Sequence, residues 1–308
     1  LGMSRGLGDV YKRQLLLVSL AILFSHNLTM GQGPKDGKNE KNPVKSALNA
    51  FKFRSIGPAF MSGRIADIAI DPKNEDVWYV AVGSGGVWKT ENSGTTWTPL
   101  ADNMPFYSTG CITIDPHNNA SIWLGTGENV GGRHVGIGHG VYHSKDGGKS
   151  WKDMGLKKSE HISKIIVHPD DPNTVWVASQ GPLWSPGGER VLFKTTNGGK
   201  TWKNTLDINE WTGVTDLVID PNNPNILYAA SWQKHRNVAA LIGGGPGTSL
   251  YKSVDGGDNW SKIDKGLPKS NKGKIGLAIS PMQPNVLYAA VELDKLSLIH
   301  ISEPTRHA

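Results

Sequence analysis

Ten residues in three stretches rich in glycine or proline carry side chains able to do chemistry. They are Glu128, Arg133, His134 and His139 in the first, Trp184, Glu189 and Arg190 in the second, and Trp232, His235 and Arg236 in the third. Indole rings offer flat apolar plates, and Arg, Glu and His orient hydroxyls, carboxylates or peptide groups through charge-assisted hydrogen bonds. That mixture suits a polar ligand such as a glycan, a peptide or a protein surface. Sharper chemistries fail on spacing. Glu128, His134 and His139 are of types that ligate zinc, but their spacing in a glycine-rich loop matches no metal motif, so no metal is expected. The glycines do not make a phosphate cradle either: no Gly-x-x-x-x-Gly-Lys-[Ser/Thr] occurs and no helix follows to present its N-terminus, so neither a nucleotide nor another cofactor is expected. No residue is assigned a catalytic role.

Repeats must position these stretches. Ser144-Lys145-Asp146-Gly147-Gly148-Lys149-Ser150-Trp151 recurs with variation as 90–97, 195–202 and 253–260, on the pattern [Ser/Thr]-x-[Asp/Asn]-x-Gly-x-x-Trp. A short Asp or Asn binds turn amides, Gly supplies positive φ, and Trp anchors the returning strand. Asn92, Trp97, Asp146, Trp151, Asn197, Trp202, Asp255 and Trp260 are therefore structural, and the Asp146 and Asp255 carboxylates are turn formers rather than catalysts. Between the turns runs a second repeat of β-rich pairs, such as Ile68-Ala69-Ile70-Asp71-Pro72 leading to Val77-Trp78-Tyr79-Val80-Ala81, found five times. Two hairpins per unit predict an all-β fold, a β-propeller of four-stranded antiparallel blades with about four and a half blades present. Blades are expected over Arg64–Asp102, Thr109–Gly155, Ile162–Leu206 and Val214–Lys265, with a fifth from Lys274. In such a blade the first and third turns share one face, and the connections between the second and third strands share the other. Those second connections lengthen at 127–140, 180–190 and 232–247, so the ten residues should crowd one face near the channel mouth.

At these residues a family resemblance becomes specific. The octapeptides look like Asp-boxes, or BNR repeats, and with the strand-Asp-Pro element they resemble the propeller of sortilin and Vps10-type proteins over about 53–295. More distantly the repeat resembles xyloglucanase-like glycoside hydrolases and sialidases. The first hydrolases carry an Asp in a first-blade segment of the form Thr-Asp-Ile-Gly-Gly-Ala-Tyr; the matching stretch is Val82-Gly83-Ser84-Gly85-Gly86-Val87-Trp88, which puts Gly83 at the Asp. Hydrolysis needs two opposed carboxyl groups roughly 5–9.5 Å apart, and this departure argues against it. Sialidases need an arginine triad, of which Phe53-Arg54-Ser55-Ile56 gives only a loose echo.

The termini are set aside. Asp9-Val10-Tyr11-Lys12-Arg13-Gln14 is encoded by a string that looks like the transposon end of tagmentation libraries, and Leu296-Ser297-Leu298-Ile299-His300-Ile301 reads as its reverse complement. Residues 1–14 and 296–308 are therefore taken as sequencing-adaptor scars. Residues 15–31 contain an apolar run with the length of a signal-peptide core, too short to span a bilayer, and 32–52 form a polar linker before the partial propeller of 53–295. An exported protein is expected, periplasmic, cell-surface or secreted and bacterial in style. The formal charge is +6, of which Arg5, Lys12 and Arg13 against Asp9 supply +2, leaving a mild +4 scattered among the blades. That is not the basic stripe of a nucleic-acid binder, so no nucleic-acid partner is expected. Cys111, the sole cysteine, cannot form an internal disulfide and reads as a small buried hydrophobe.

The resulting expectation is a binding scaffold for a protein, peptide or carbohydrate ligand, with a xyloglucanase-like hydrolase as the alternative. Trp151→Ala or Trp202→Ala should then cost stability, whereas Trp232→Ala or Arg236→Ala should leave stability nearly unchanged.

Overall fold

Alternation along each strand sends successive side chains to opposite faces of a sheet, so a strand apolar on both faces needs a neighbour on each side. The computed structural model describes residues 64–132, 135–263 and 265–293, and in them this demand is met by blades packed face to face. The scars, the apolar run, the linker, residues 53–63, Arg133 and His134 lie outside the described residues.

The first blade comprises β1 (Ile65–Asp71), β2 (Asn74–Val82), β3 (Gly86–Thr90) and β4 (Thr98–Pro99). The second has β5 (Thr109–Asp115), β6 (Asn118–Thr126), β7 (Val141–Ser144) and β8 (Lys152–Asp153), and the third β9 (Ile162–Val167), β10 (Val175–Ser179), β11 (Leu192–Thr195) and β12 (Lys203–Leu206). The fourth comprises β13 (Thr212–Asp220), β14 (Asn223–Gln233), β17 (Leu250–Ser253) and β18 (Ser261–Ile263), with a small hairpin of β15 (His235–Arg236) and β16 (Leu241–Ile242) in its long connection. A fifth sheet is formed by β19 (Lys272–Ser280) and β20 (Gln283–Leu293). Every pairing is antiparallel, and the four complete sheets are meanders in chain order, the hairpin apart. This is a β-propeller of four-stranded blades.

The core lies between blades. On β6, Ile122 and Leu124 pack with Tyr79, Ala81 and Val87 of the first blade, while the intervening Trp123 packs with Ile165, Val175 and Val177 of the third. The same division recurs on β10, where Trp176 and Ala178 face Val214, Leu217 and Leu227 of the fourth blade and Val175 and Val177 face the second. Cys111 is buried in this core, and burial pushes its thiol pKa up, which leaves it unreactive.

Two kinds of turn share one end of the blades. In the octapeptide of the second blade, Ser144 Oγ donates to Asp146 Oδ1 (2.8 Å) and accepts from Gly148 N (2.8 Å), and Asp146 Oδ1 accepts from Ser150 N (2.8 Å). Gly147 and Gly148 take φ of 71° and 88°, which a side chain would strain. Thr195–Asn197 and Ser253–Asp255 repeat the pattern. The closing indoles tie blades together: Trp151 Nε1 donates to Leu100 O (3.0 Å) and Trp202 Nε1 to Met154 O (2.8 Å), each in the preceding blade. In the Asp-Pro turns the carboxylate caps the amide two residues on, as Asp71 does for Lys73 and Asp115 for His117. Blade three has His168 there, and its Nδ1 accepts from Asp170 N (3.0 Å).

Candidate functional site

At the opposite end, the pairing of the first two strands skips one residue in each complete blade, at Ala66, Gly110, Ser163 and Thr215. Such bulges re-aim the chain at the rim of a sheet. From this rim the long connections lean together. Gln180 Nε2 of the second loop donates to Asn129 O of the first (3.3 Å), Lys234 Nζ of the third donates to Val130 O (2.7 Å), and Lys274 Nζ of the fifth blade donates to Asn129 O (2.5 Å). Arg236 N donates to Leu183 O (3.1 Å), joining the third loop to the second. Two adjacent peptides of one loop are thus held by three other blade elements, and glycine-poor segments such as 128–130 gain their order from these bonds.

Glu128 is the anchor on the first-blade side. Its carboxylate accepts from Arg64 Nε (2.6 Å), Arg64 NH2 (2.7 Å) and Gly136 N (3.2 Å), a bidentate clasp plus an amide. Burial works to raise this carboxyl, but the Arg64 hydrogen bonds, the Gly136 amide and the Arg64 charge outweigh it and hold the group below the usual carboxylate range. The Glu128 side chain also fills the space beside Gly83: a Cβ there would stand 2.4 Å from Glu128 Oε1.

On the far side the charges are positive. Arg190 is buried, and its terminal nitrogens reach carbonyls, NH1 those of Gln180, Trp211 and Lys234 and NH2 those of Pro182 and Ser185, while its Nε has no partner among the described residues. Lys234 is buried beneath the Trp232 ring, with Nζ 4.6 Å from its centroid, and Lys274 lies 5.6 Å from the same ring. Burial, then the charges of Lys274, Arg190 and Arg236, pull the Lys234 ammonium down to about 7. Arg236 is also buried, its guanidinium 5.8 Å from the ring centroid of Trp184, a residue that is 47% exposed. His161 lies buried in the same neighbourhood, and burial followed by Lys234 lowers it to about 4.

The structure brings Glu128, Arg190, Trp232, His235, Arg236 and Trp184 onto this face. Trp232 departs from the expectation: it is 5% exposed, packs against Gly131 and donates Nε1 to Gly243 O (2.8 Å), so it is a keystone between loops. Arg236 is buried as well, so the expected indifference of stability to its truncation does not follow. His139 is exposed, and its backbone amide alone joins the site, through Thr126 Oγ1. Glu189 turns to the connection between the second and third blades, accepting from Lys158 N (2.9 Å). Arg64, Glu160, His161, Lys234 and Lys274 were not singled out by sequence. Lys234 adjoins named residues and could have been included, whereas Arg64 and Lys274 are 64 and 145 residues from their partners.

Elsewhere, Ser121 Oγ contacts both Asp115 Oδ2 (3.0 Å) and His143 Nε2 (2.8 Å). A nucleophilic triad needs the His between Ser and acid. Here the serine is central and buried, and His143 stacks on Trp123, so the trio supports the Asp-Pro turn. Among the described residues no group of three His, Cys, Asp or Glu could hold a metal ion, and no helix is long and apolar enough to cross a membrane.

Comparison with known proteins agrees with this architecture. Residues 139–288 match the Sortilin-Vps10 family model, described as sortilin, neurotensin receptor 3. A xyloglucanase from a Paenibacillus species is 23% identical over 218 residues, 64% of this chain and 20% of that protein. The photosystem II stability/assembly factor HCF136 of Oryza sativa subsp. japonica is 30% identical over 194 residues, 54% of this chain and 41% of that protein. Among solved structures, an ancestral GH74 enzyme aligns with a TM-score of 0.59 at 25% identity, covering 77% of this chain and 28% of that one. The chain spans about a quarter or less of the length of the first xyloglucanases it matches, 26% and 20%. The chain is a β-propeller that resembles the sortilin/Vps10 domain and the xyloglucanase-like hydrolases.

Proposed function

We propose that this chain is part of an exported propeller that acts as a binding scaffold, with its ligand held on the face where the three long loops converge. The observation that carries the reading is the state of the charged groups there. The central carboxylate, Glu128, is already clasped by Arg64, while the cations Lys234 and Arg236 have no carboxylate paired with them among the described residues. A face built this way can hold a ligand, and its central carboxylate is committed to Arg64 rather than free to act as acid or base. A panel of glycans, peptides and proteins on an array, with reducing-sugar release measured in parallel, tests it. Saturable binding without turnover is expected; turnover abolished by Glu128→Gln refutes it.

A second reading, a glycoside hydrolase acting on polysaccharide, has one specific observation in its favour. Position 83 is where the xyloglucanase-like pattern has its Asp, and the Glu128 carboxylate occupies the space a side chain at 83 would enter. Glu160, whose backbone O accepts from Gly138 N (2.8 Å), has its pKa raised by burial against the opposing charge of Arg190. Two carboxyls pushed in opposite directions are the usual sign of an acid and a base. The same assay decides, with Glu160→Gln as the second variant.

A further inference from the structure

Buried charge without a partner costs several kcal/mol or neutralises itself, so folded proteins pair it or leave it for a ligand. The cations of the loop face differ in how far they are satisfied. Arg190 has five carbonyl contacts through its two terminal nitrogens, although its Nε, like that of Arg236, is buried without a partner among the described residues. Lys274 feels the carboxylates of Asp216 and Glu292. Lys234 has one carbonyl, Val130 O, faces three other cations, and is offset only by Glu128, which Arg64 already holds. Arg236 is 8% exposed, yet its Nε is buried with no hydrogen-bond partner. Next to it the His235 Nδ1 is also buried and unpartnered, with the His235 ring edge-on to Trp211 at 4.0 Å. Above Arg236 lies Trp184, the exposed indole of this loop face.

We propose that Arg236 and Lys234 form the floor of a subsite for the carboxylate of an acidic glycan, a uronic acid whose ring stacks on Trp184. A carboxylate supplies the negative charge that this floor lacks and can accept from a guanidinium in the bidentate manner. The ring C–H face of a pyranose matches an exposed indole, and a neighbouring hydroxyl satisfies an orphaned imidazole nitrogen. A peptide would bring a strand to be paired or an apolar side chain to be pocketed. Trp232 is covered and the exposed Leu241 and Ile242 sit on the paired strand β16, so the flat ring that stands open beside these cations is Trp184, which favours the sugar.

This inference rests on the binding-scaffold reading, and its test separates the two. Titration calorimetry of the full-length protein uses an oligogalacturonate, its methyl ester, a neutral galactan oligomer and a polyglutamate peptide. The oligogalacturonate should bind, weaken with added salt, and weaken about tenfold in Arg236→Gln, as loss of a charge-assisted hydrogen bond does. Trp184→Ala, at an exposed position, should weaken it similarly with only a small change in melting temperature, which guards against misfolding of the Arg236 variant. The methyl ester and the galactan should not bind. Equal binding of ester and acid, binding of polyglutamate but not oligogalacturonate, or no binding of any probe each overturns the acidic-glycan subsite. Binding of neutral glycan or peptide in its place leaves the scaffold reading standing, whereas release of reducing ends removes that reading.

Discussion

Gly83→Ala is the most informative single perturbation of this fold. Gly83 does not lie in the left-handed region, so alanine meets no backbone strain, and a lone Gly→Ala change in an open place would stabilise by about 0.4–1 kcal/mol through the unfolded chain. The place is not open: the new Cβ would stand 2.4 Å from Glu128 Oε1, 2.8 Å from Cγ and 2.9 Å from Cδ. The carboxylate must leave, and with it go the contacts to Arg64 and Gly136. Breaking a fully buried ion pair costs about 3–5 kcal/mol. The Arg64 side chain is 57% exposed, which discounts this to roughly 1–3 kcal/mol, and the amide bond adds about 1. Net destabilisation of about 1–3.5 kcal/mol is expected. Urea unfolding of wild type, Gly83→Ala, Glu128→Ala and the double variant measures it. With Glu128 truncated the clash is gone, so Gly83→Ala should then cost nothing or stabilise slightly. Additive costs in the double variant, or a neutral single variant, would refute the claim that Glu128 is why position 83 is glycine.

Three further outcomes follow from the same geometry. Trp202→Ala should destabilise by about 2–4 kcal/mol in urea melts, since it removes a half-buried indole and its bond to Met154 O. His161 is neutral when folded, with its pKa lowered from 6.5 to about 4, so the folded state binds fewer protons than the unfolded between these values. Stability is therefore lost as pH falls from about 6.5 to 4, by ~3 kcal/mol, and His161→Gln should flatten the profile of melting temperature against pH. Lys234, lowered to about 7, has the same sign: stability should rise from pH 7 toward about 10, where the unfolded side chain also loses its proton. Lys234→Met should raise the melting temperature at pH 7 and abolish that rise; an unchanged slope would show that the ammonium is not desolvated.

The blades were legible because their determinants are local. Ser144, Asp146, Gly147 and Gly148 make a turn from contacts within five residues, and Asp71 or Asp115 caps an amide two positions on. The convergence of the loops was legible too, since it needs only strand count and loop length. Which side chains stay open within that convergence was not. Trp232 looks like a binding plate in sequence, yet whether an indole is a plate or a keystone depends on Gly131 and Gly243 closing over it. Arg64 lies 64 residues from the carboxylate it clasps, and Lys274 145 residues from the carbonyl it reaches, separations that no spacing rule covers.

A propeller places its stability and its binding face in different parts of the repeat, and the charges here follow that division. Apolar burial sits between blades, where Trp123, Trp176, Leu217 and Leu227 are wholly covered, so the fold does not depend on the loop face for its core. The loop face can therefore carry groups that are costly alone, such as the Arg236 and Lys234 cations. Their cost is tolerable because each is braced by carbonyls or rings of neighbouring loops: Val130 O and Trp232 for Lys234, and Trp184 for Arg236. Bracing fixes position without neutralising charge. A fixed, dehydrated cation attracts an anion more strongly than a mobile solvated one, since neither side-chain entropy nor a full hydration shell has to be given up at binding. On the proposed binding reading Glu128 is, for the same reason, better clasped by Arg64 than left free: an unpaired carboxylate near Lys234 would compete with an incoming anion.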